Sequence, residues 1–457
     1  MFTDLSDIIF DNPSAGHYGV AVTDVDGDGR FEFVVAGYGC ANRVLKWVNG
    51  GLHDIAPSII DDFDRPSIGI AAGDIDGDGH EEIYVLNAET FAGPKKYADR
   101  LFHRGPGGRW EDLFHRPENR AARNPSSGRS VAVVDRRGTG RYGFVVANYG
   151  QPLRYYELGP TGQLVDLAGP TGLTLTTGGR GLWVGPLTSE RPDILCVNEH
   201  GPNTLFRNQG NGTFTDVASE LRLTDAKENA RGVTALDADA DGRLDLAWGN
   251  WEGPNRLMIR QPDGTFRDRA TPAMAWPGQI RTVIAADFDN DGYEELFFNH
   301  IGEPNRLFRQ NASGDWRVVD PGAATEPTGA GTGAAVADID GDGRLELLIA
   351  HGESMPQPLS LFRASGVDYH WLRVLPRTRF GAPARGAMVR LSAGGRVQVR
   401  VIDGGSGYLC QMEPVAHFGL GMVDCIESVR IIWPDGESLN LIDVPIRTTL
   451  DVPYPRV

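Results

Sequence analysis

The chain has 457 residues, of which 40% are hydrophobic and 23% charged, and this predicts a globular protein of two or more domains. Its formal net charge of −17 argues against a nucleic-acid partner, because phosphate recognition needs a basic surface. We find no apolar run near the roughly 20 residues of a membrane span and no signal peptide at the start, so we expect a cytoplasmic protein unless the chain is a processed form.

Acidic turns of one design recur along the chain, and the first is Asp24-Val-Asp26-Gly-Asp28-Gly-Arg-Phe-Glu32. Each turn has carboxylates at positions 1, 3, 5 and 9 and glycine at position 6. Acids this close repel one another unless a cation lies among them. Calcium accepts six to eight oxygen ligands, often including the carbonyl at position 7. The acid at position 9 and the flanking strands exclude an EF-hand.

We therefore predict five Ca²⁺ sites, each formed by the side chains at positions 1, 3, 5 and 9 and the carbonyl at position 7. The predicted ligands are Asp24, Asp26, Asp28, Arg30 and Glu32; Asp74, Asp76, Asp78, His80 and Glu82; Asp237, Asp239, Asp241, Arg243 and Asp245; Asp287, Asp289, Asp291, Tyr293 and Glu295; and Asp338, Asp340, Asp342, Arg344 and Glu346.

These turns mark a repeat of about 50 residues, and two degenerate copies, near Asp135 and Gly185, bring the number of repeats to seven. The degenerate copies have lost most of their acids, so we predict no ion there; Arg137 could place its guanidinium where an ion would lie. Each repeat contains four short apolar strands. The sequence thus predicts an all-β fold, a seven-bladed β-propeller over residues 1–366.

The two ends of the propeller are predicted to meet. Phe2-Thr3-Asp4-Leu5 resembles the fourth-strand segment Phe214-Thr215-Asp216-Val217, and the seventh repeat lacks a fourth strand of its own. We therefore expect residues 2–6 to pair beside residues 359–363 and to close the ring. The insertion at 89–100 in the second repeat is predicted to be a solvated loop.

The period stops near Val367, and the short alternating strands that follow predict a β-sandwich over residues 367–457. Four cysteines are present, at 40, 196, 410 and 425. The first two are expected to be free, whereas Cys410 and Cys425 share the C-terminal region and could form a disulfide.

The repeats resemble the FG-GAP/VCBS repeats of integrin-α-type propellers. The tail resembles the ASPIC/UnbV domain in three segments: Gly404-Gly-Ser-Gly-Tyr408, His417-Phe-Gly-Leu420 and Ile432-Trp-Pro-Asp-Gly436. Together they have the layout of the cartilage acidic protein family, which includes secreted matrix proteins and proteins associated with bacterial enediyne biosynthesis. The resemblance covers essentially the whole chain.

A second periodic feature consists of Arg129, Arg180, Arg231 and Arg281, which recur at intervals of 51, 51 and 50 residues. They begin the first strands of blades three to six, about 20 Å from the acidic turns at ~3.3 Å per residue. We expect them to converge at the opposite mouth of the central channel. There they could bind an anion through paired N–H groups, with His17 and Trp251 as further ligand-binding candidates.

The turns at the same end carry His200, Glu252, His300 and His351, which are candidates for acid–base catalysis. A purely structural alternative is that each arginine bonds to carbonyls or to a glutamate of a neighbouring blade. The favoured prediction is a calcium-stabilised propeller that binds a small anionic molecule or an acidic group of a partner protein at this mouth. The alternatives are a secondary-metabolism enzyme, such as an isomerase, cyclase or hydrolase, and an adhesion or matrix protein.

Overall fold

The computed structural model describes residues 1–353 and 355–455. Within these ranges, no helix is both long enough and apolar enough to cross a membrane. Helices are short throughout: α1 Ser58–Asp61, α2 Ala168–Thr171, and the 3-10 turns Ser6–Ile8, Leu113–His115, Pro117–Ala122 and Ala323–Thr325.

The strands of residues 2–364 form seven antiparallel blades of four strands each, with blades 3 and 4 joined into one eight-stranded sheet by pairing of residues 149–152 with residues 176–178. Blades 1 to 3 consist of β2 His17–Thr23, β3 Glu32–Gly37, β4 Arg43–Val48 and β5 Gly51–Asp54; β6 Ser67–Gly73, β7 Glu82–Asn87, β8 Arg100–Arg104 and β9 Trp110–Asp112; and β10 Gly128–Val134, β11 Gly143–Pro152, β12 Arg154–Leu158 and β13 Leu164–Asp166.

Blades 4 to 7 consist of β14 Thr176–Gly185, β15 Asp193–Asn198, β16 Thr204–Asn208 and β17 Phe214–Asp216; β18 Ala230–Leu236, β19 Asp245–Asn250, β20 Arg256–Arg260 and β21 Phe266–Asp268; β22 Ile280–Ala286, β23 Glu295–His300, β24 Arg306–Gln310 and β25 Trp316–Val319; and β26 Gly331–Ala337, β27 Glu346–His351, β28 Ser360–Ala364 and β1 Phe2–Asp4. The N-terminal strand β1 pairs with β28, with Phe2 opposite Ala364, so the N-terminal segment supplies the fourth strand of blade 7.

The blades form a closed ring. The first strand of each blade contacts the first strands of the blades on either side, and β26 of blade 7 contacts β2 of blade 1. These inner strands are almost wholly buried because neighbouring blades cover both of their faces. Val20 and Val22 of blade 1, for example, pack with Ala335 and Leu348 of blade 7. The all-β propeller predicted from the repeats is confirmed.

The C-terminal region is a two-layer sandwich. One sheet contains β29 His370–Pro376, β32 Ala416–Gly421 and β35 Thr448–Val452, and the other contains β30 Met388–Ala393, β31 Arg396–Val401, β33 Ile426–Ile432 and β34 Ser438–Leu441. Between them lies an apolar core that includes Leu372, Val389, Phe418 and Trp433.

A long segment between β31 and β32, residues 403–413, enters the propeller channel; we call it the plug. Gly404 and Gly405 accept hydrogen bonds from the backbone N–H groups of Val133 (2.7 Å) and Val184 (3.2 Å). Further partners of the plug are Val20, Val22, Ala72, Val233, Thr282, Ala334 and Val336. Because these residues belong to the inner strands of all seven blades, the plug fills the central channel.

The plug explains two local features. A Cβ on Gly19 would lie 2.3 Å from the carbonyl oxygen of Leu409, so only glycine permits this close approach. Cys410 is buried in the plug, whereas Cys425 is exposed on the sandwich, and all four cysteines are free. The possible Cys410–Cys425 disulfide is therefore wrong, because the plug carries Cys410 away into the propeller.

One arginine ties the plug to the propeller. Arg385, which is 1% exposed, lies in the loop before β30, and its Nε donates to Glu81 of blade 2 at 2.6 Å. Its other nitrogens donate to the carbonyls of Asp403, Met412 and Val22. A single guanidinium thus joins the two ends of the plug to blades 1 and 2.

Candidate functional site

Seven equivalent residues form a ring at the end of the propeller opposite the acidic turns: Tyr18, Ile68, Arg129, Arg180, Arg231, Arg281 and Thr332. Each lies where the pairing of a blade's first two strands shifts register. Such bulges re-aim side chains and are common at the rims of closed sheets. The arginines occupy the ring in the four consecutive blades 3 to 6, and the structure thus brings them together. We call this group the arginine mouth.

Two glutamates partly neutralise the arginine mouth. Glu199 of blade 4 accepts from Arg180 (Nε to Oε2, 2.7 Å) and from Arg231 of blade 5 (Nη2 to Oε1, 2.9 Å). Glu353 of blade 7 accepts from Arg281 Nε at 2.5 Å. The predicted inter-blade ties are therefore present. Four guanidinium groups against two carboxylates leave a formal excess of two positive charges.

Aromatic rings cover the guanidinium groups. Arg129 and Arg180 lie 5.0 and 4.9 Å from the centroid of Phe91, and Arg180 also stacks on Tyr149 at 4.7 Å. Trp251 lies 4.1 Å from Arg281 and 5.5 Å from Arg231. Cation–π contacts of this kind stabilise a charge that has been removed from water.

The floor of the mouth is Tyr408, at the tip of the plug, with its ring centroid 5.9 Å from the Arg281 guanidinium. Its backbone N–H donates to Thr282 Oγ1 at 2.9 Å. The plug therefore lies beneath the mouth and occupies the channel there.

The positive charge in the mouth is incompletely satisfied. Arg129 donates to the carbonyls of Thr90 and Phe91, but its buried Nε has no hydrogen-bond partner among the described residues, and the same holds for Arg281 Nη1. Burial, and then the neighbouring charge of Arg180, lower the pKa of Arg231 to about 10. Burial alone would raise the pKa of Glu199, but the charges of Arg180 and Arg231 hold this pKa below its usual value. The arrangement favours an additional negative charge.

The predicted acid–base residues do not assemble. His300 and His351 are 1% and 2% exposed, and their Nδ1 atoms bond to the carbonyls of Phe298 (3.0 Å) and Pro358 (2.8 Å) within their own blades. His200 is exposed and lies 3.8 Å from Glu199, and Glu252 is exposed on the next blade. In residues 1–353 and 355–455, no hydrogen bond joins any two of these four side chains, so they do not form an acid–base pair with one another.

His17, a predicted ligand-binding residue, is also buried, at 1% exposure. Burial, followed by the charge of Arg43, lowers its pKa to about 4, so the imidazole is neutral at physiological pH. Trp251, in contrast, contributes directly to the mouth through its contacts with Arg231 and Arg281.

Sequence reasoning missed Phe91, Tyr149 and Tyr408 as parts of the mouth. Phe91 belongs to the insertion at 89–100, which is not a wholly solvated loop: Lys95 is buried there and donates to the Asn87 carbonyl at 2.9 Å. Tyr149 lies next to Gly150 at a strand end, a weak signal, and only the path of the plug places Tyr408.

The acidic turns lie at the other end of the propeller, between the first and second strands of their blades. Carboxylate oxygens lie within 4.8 Å of one another in at least four of them: Asp24, Asp26 and Glu32; Asp74, Asp76 and Glu82; Asp237, Asp239 and Asp245; and Asp287, Asp289 and Asp291. The turn backbone holds the first acid; in blade 1, Gly29, at φ +86°, donates its N–H to Asp24 at 2.9 Å.

The chemistry of these turns suits a hard cation. Buried Glu32 Oε1, Asp287 Oδ1 and Glu295 Oε1 have no hydrogen-bond partner in the described part of the chain. Burial, and then the charges of Asp239 and Asp237, raise the pKa of Asp245 to about 8. A nearby positive ion favours the charged form of clustered, partly buried carboxylates, and carboxylates and carbonyls are the ligands that Ca²⁺ prefers.

In the two degenerate turns the remaining acid is held by backbone N–H groups, as in the intact turns. In blade 3, the Asp135 carboxylate accepts from the backbone N–H groups of Thr139 (2.9 Å) and Gly140 (2.6 Å). In blade 4, Asp193 accepts from the N–H groups of Thr188 and Asn208 at 2.7 and 2.8 Å. Each turn keeps only this one acid at positions 1, 3, 5 and 9 of its sequence, and the prediction that neither holds an ion stays a prediction.

The fold and the turns define a class of protein: an FG-GAP-repeat propeller joined to an ASPIC/UnbV domain. The FG-GAP-like repeat family model matches residues 24–85, 187–248, 237–298 and 296–349, and the ASPIC and UnbV model matches residues 378–457. A lectin of Burkholderia pseudomallei aligns with 76% of this chain and 99% of its own at 12% identity and a TM-score of 0.49.

The relatives identify the family. Cartilage acidic protein 1 of Xenopus tropicalis is 47% identical over 503 residues, covering 100% of this chain and 77% of that protein. The Homo sapiens protein is 46% identical, covering 97% and 73%. This chain therefore belongs to the cartilage acidic protein family, which confirms the resemblance seen in the sequence.

These relatives overturn one prediction. Cartilage acidic protein 1 is an extracellular matrix protein, so the expected cytoplasmic location is wrong. The prediction rested on the start of the printed sequence, which says nothing about how the protein is processed. The matched relatives are vertebrate proteins and give no support to a bacterial or secondary-metabolism setting.

Proposed function

We propose that this protein is a calcium-stabilised matrix-type propeller that binds an acidic group, of a small molecule or of a partner protein, at the arginine mouth. The observation that carries the proposal is the unsatisfied positive charge there. Buried ionic groups are normally paired, because an unpaired charge removed from water is costly. The free N–H groups of Arg129 and Arg281 and the excess of two guanidinium charges favour binding of an anion at the mouth.

Glu353 indicates where the acidic group would bind. It projects from the turn between β27 and β28, and its carboxylate makes a two-pronged contact with Arg281 of the neighbouring blade. Its side chain is 30% exposed, whereas Arg281 is 9% exposed. We infer that Glu353 stands in for the ligand and that an incoming carboxylate, sulfate or phosphate takes over its place on Arg281 and adds the free donor of Arg129.

Calcium has a structural role in this proposal. The acidic turns would hold the ion through the predicted carboxylates and carbonyls, and the ion would neutralise the clustered acids. Each turn also joins the first and second strands of its blade. A turn that holds calcium would therefore fix these strands, and the opposite ends of such strands carry the arginine mouth.

A binding experiment tests the mouth. Arg129→Gln removes a donor whose hydrogen bonds all go to carbonyls, so the propeller should remain folded. The probes are a fluorescein-labelled octaglutamate peptide, measured by anisotropy, and sodium sulfate, measured by calorimetry. Losing a charge-assisted contact costs about 1.5–3 kcal/mol, or roughly 10- to 100-fold in affinity. Glu353→Gln should strengthen binding, because it frees Arg281.

The matched control is Arg267→Gln, an exposed arginine on β21 far from the mouth. It should bind both probes as the wild type does. Binding of sulfate without the peptide would assign a small-molecule ligand, and tighter binding of the peptide would assign a protein partner. Equal affinities for wild type, Arg129→Gln and Glu353→Gln would refute the mouth as the binding site.

A further inference from the structure

The acidic turns differ in one residue that lies outside them, on the third strand of the blade. In each of blades 1, 2, 5, 6 and 7, the residue that follows the ninth-position acid pairs with a residue of the third strand. These third-strand partners are Leu45, Phe102, Met258, Phe308 and Phe362. Because the two strands are antiparallel, the residue that follows each partner lies opposite the ninth-position acid. It is Lys46, His103, Ile259, Arg309 and Arg363 in the five blades; we call it the facing residue.

In blade 1 the facing residue is inserted among the turn acids. The Lys46 ammonium contacts Asp26, lies 2.7 Å from Asp28 Oδ2 and lies 3.6 Å from Glu32 Oε1. These are the third, fifth and ninth positions of the turn, three of the four carboxylates that would coordinate calcium.

Blades 6 and 7 repeat the arrangement with arginine. Arg309 lies 2.6 Å from Asp289, 2.5 Å from Asp291 and 3.7 Å from Glu295. Arg363 lies 2.6 Å from Asp340 and 3.2 Å from Asp342 and also contacts Glu346. In blades 1, 6 and 7 the facing residue contacts the acids at the third, fifth and ninth positions of the turn. The contact therefore follows from the strand register, which these blades share.

Blade 5 lacks this cation. Ile259 is 8% exposed and packs in an apolar cluster with Leu257 and Phe308. The neighbouring Arg260 turns away and donates to the Leu187 carbonyl at 2.7 Å. Across residues 1–353 and 355–455, the only ion pair on this turn joins Asp241 to Arg243 within the turn itself.

We propose that the facing residue sets the calcium affinity of each turn, with blade 5 binding most tightly and blades 1, 6 and 7 more weakly. The inference rests on the proposed structural role of calcium. A cation fixed among the acids repels Ca²⁺ and must move aside for it, whereas the same cation offsets part of the negative charge of a turn without calcium. The turn of blade 5, with no facing cation, depends on calcium most.

Lys46→Met tests the proposal, because methionine keeps the length of the side chain and removes its charge. Calcium titration by calorimetry should show one site strengthened by about tenfold or more, equivalent to ~1.4 kcal/mol. In chelator, the same variant should melt lower than wild type, because its empty turn has lost its cation. Lys46→Arg is the matched control and should leave both quantities unchanged.

The reciprocal variant is Ile259→Arg, which places a cation opposite the turn of blade 5. It should weaken the tightest calcium site and reduce the fall in melting temperature on chelation. A far-ultraviolet circular dichroism spectrum identical to that of wild type shows that the blade still forms. If Ile259→Arg does not fold, the comparison of Lys46→Met with Lys46→Arg alone tests the proposal.

The outcomes separate the two proposals. A wild type that takes up no calcium refutes the proposed role of the ion and this inference with it. A wild type that binds calcium while Lys46→Met and Lys46→Arg share one affinity refutes only the inference about the facing residue.

Discussion

The two ends of the propeller carry opposite charges on the same strands. At one end, clusters of carboxylates surround the places proposed for calcium; at the other, four guanidinium groups surround Tyr408. Both ends contain substitute counter-ions from the chain itself: Lys46, Arg309 and Arg363 among the acids, and Glu199 and Glu353 among the arginines.

The difference between the ends lies in how much of the charge is neutralised. In blades 1, 6 and 7 one facing cation lies among the four carboxylates of the turn, so most of the negative charge is left, whereas the arginine mouth has two carboxylates for four cations. The comparison supports both proposals, that an ion stabilises the acidic end and that the arginine end binds a ligand.

Chelation should have the largest effect and should act on the acidic end. An ion held only by the folded state stabilises it by about 2.7 kcal/mol when its concentration is 100-fold above Kd, so several ions together outweigh any one side chain. Scanning calorimetry with EDTA should therefore show a steep fall in melting temperature that added calcium reverses. An unchanged melting temperature would contradict the assignment of these turns to calcium.

Breaking the anchor between the two domains should have the next largest effect. Arg385→Met leaves buried Glu81 without its partner, and removing one member of a buried pair costs about 3–5 kcal/mol. Urea unfolding measures the loss. Arg377→Met is the control, because its pair with Asp451 is exposed and such pairs contribute about 0–1 kcal/mol. A similar small loss for both variants would show that the plug is held by its backbone bonds alone.

Acid should act on the arginine end through buried histidine. Burial lowers the pKa of His300 from 6.5 to about 4, so between these pH values the unfolded chain binds more protons and stability falls as the pH drops. The shift corresponds to roughly 3 kcal/mol, fully present above pH 6.5.

His300→Gln should therefore lose less stability than wild type when urea unfolding is compared at about pH 7.5 and 4.5, on either side of the usual histidine pKa. His200→Asn is the control, because that side chain is 70% exposed and asparagine accepts its positive φ of 56°. Parallel losses for His300→Gln and wild type would show that His300 becomes protonated without cost in the folded protein.

Much of the fold could be predicted because its signals are local. The spacing of Asp24, Asp26, Asp28 and Glu32 forms one turn, and its repetition at about 50 residues counts the blades. The periodic arginines also lie together as the repeat predicts. The histidines could not be placed in the same way. Strand register shows which end of a blade holds His300, but it does not show whether the ring faces the mouth or the adjoining blade.

The amino-acid sequence by itself determined the number of blades, the acidic turns and the family, because each is specified by residues within one repeat or one short segment. Tertiary structure alone decided that residues 403–413 close the channel, that Glu353 reaches Arg281 and that Lys46 lies among the turn acids. The physical reason is that these contacts join strands and domains far apart along the chain, where neighbouring residues do not constrain which side chains meet.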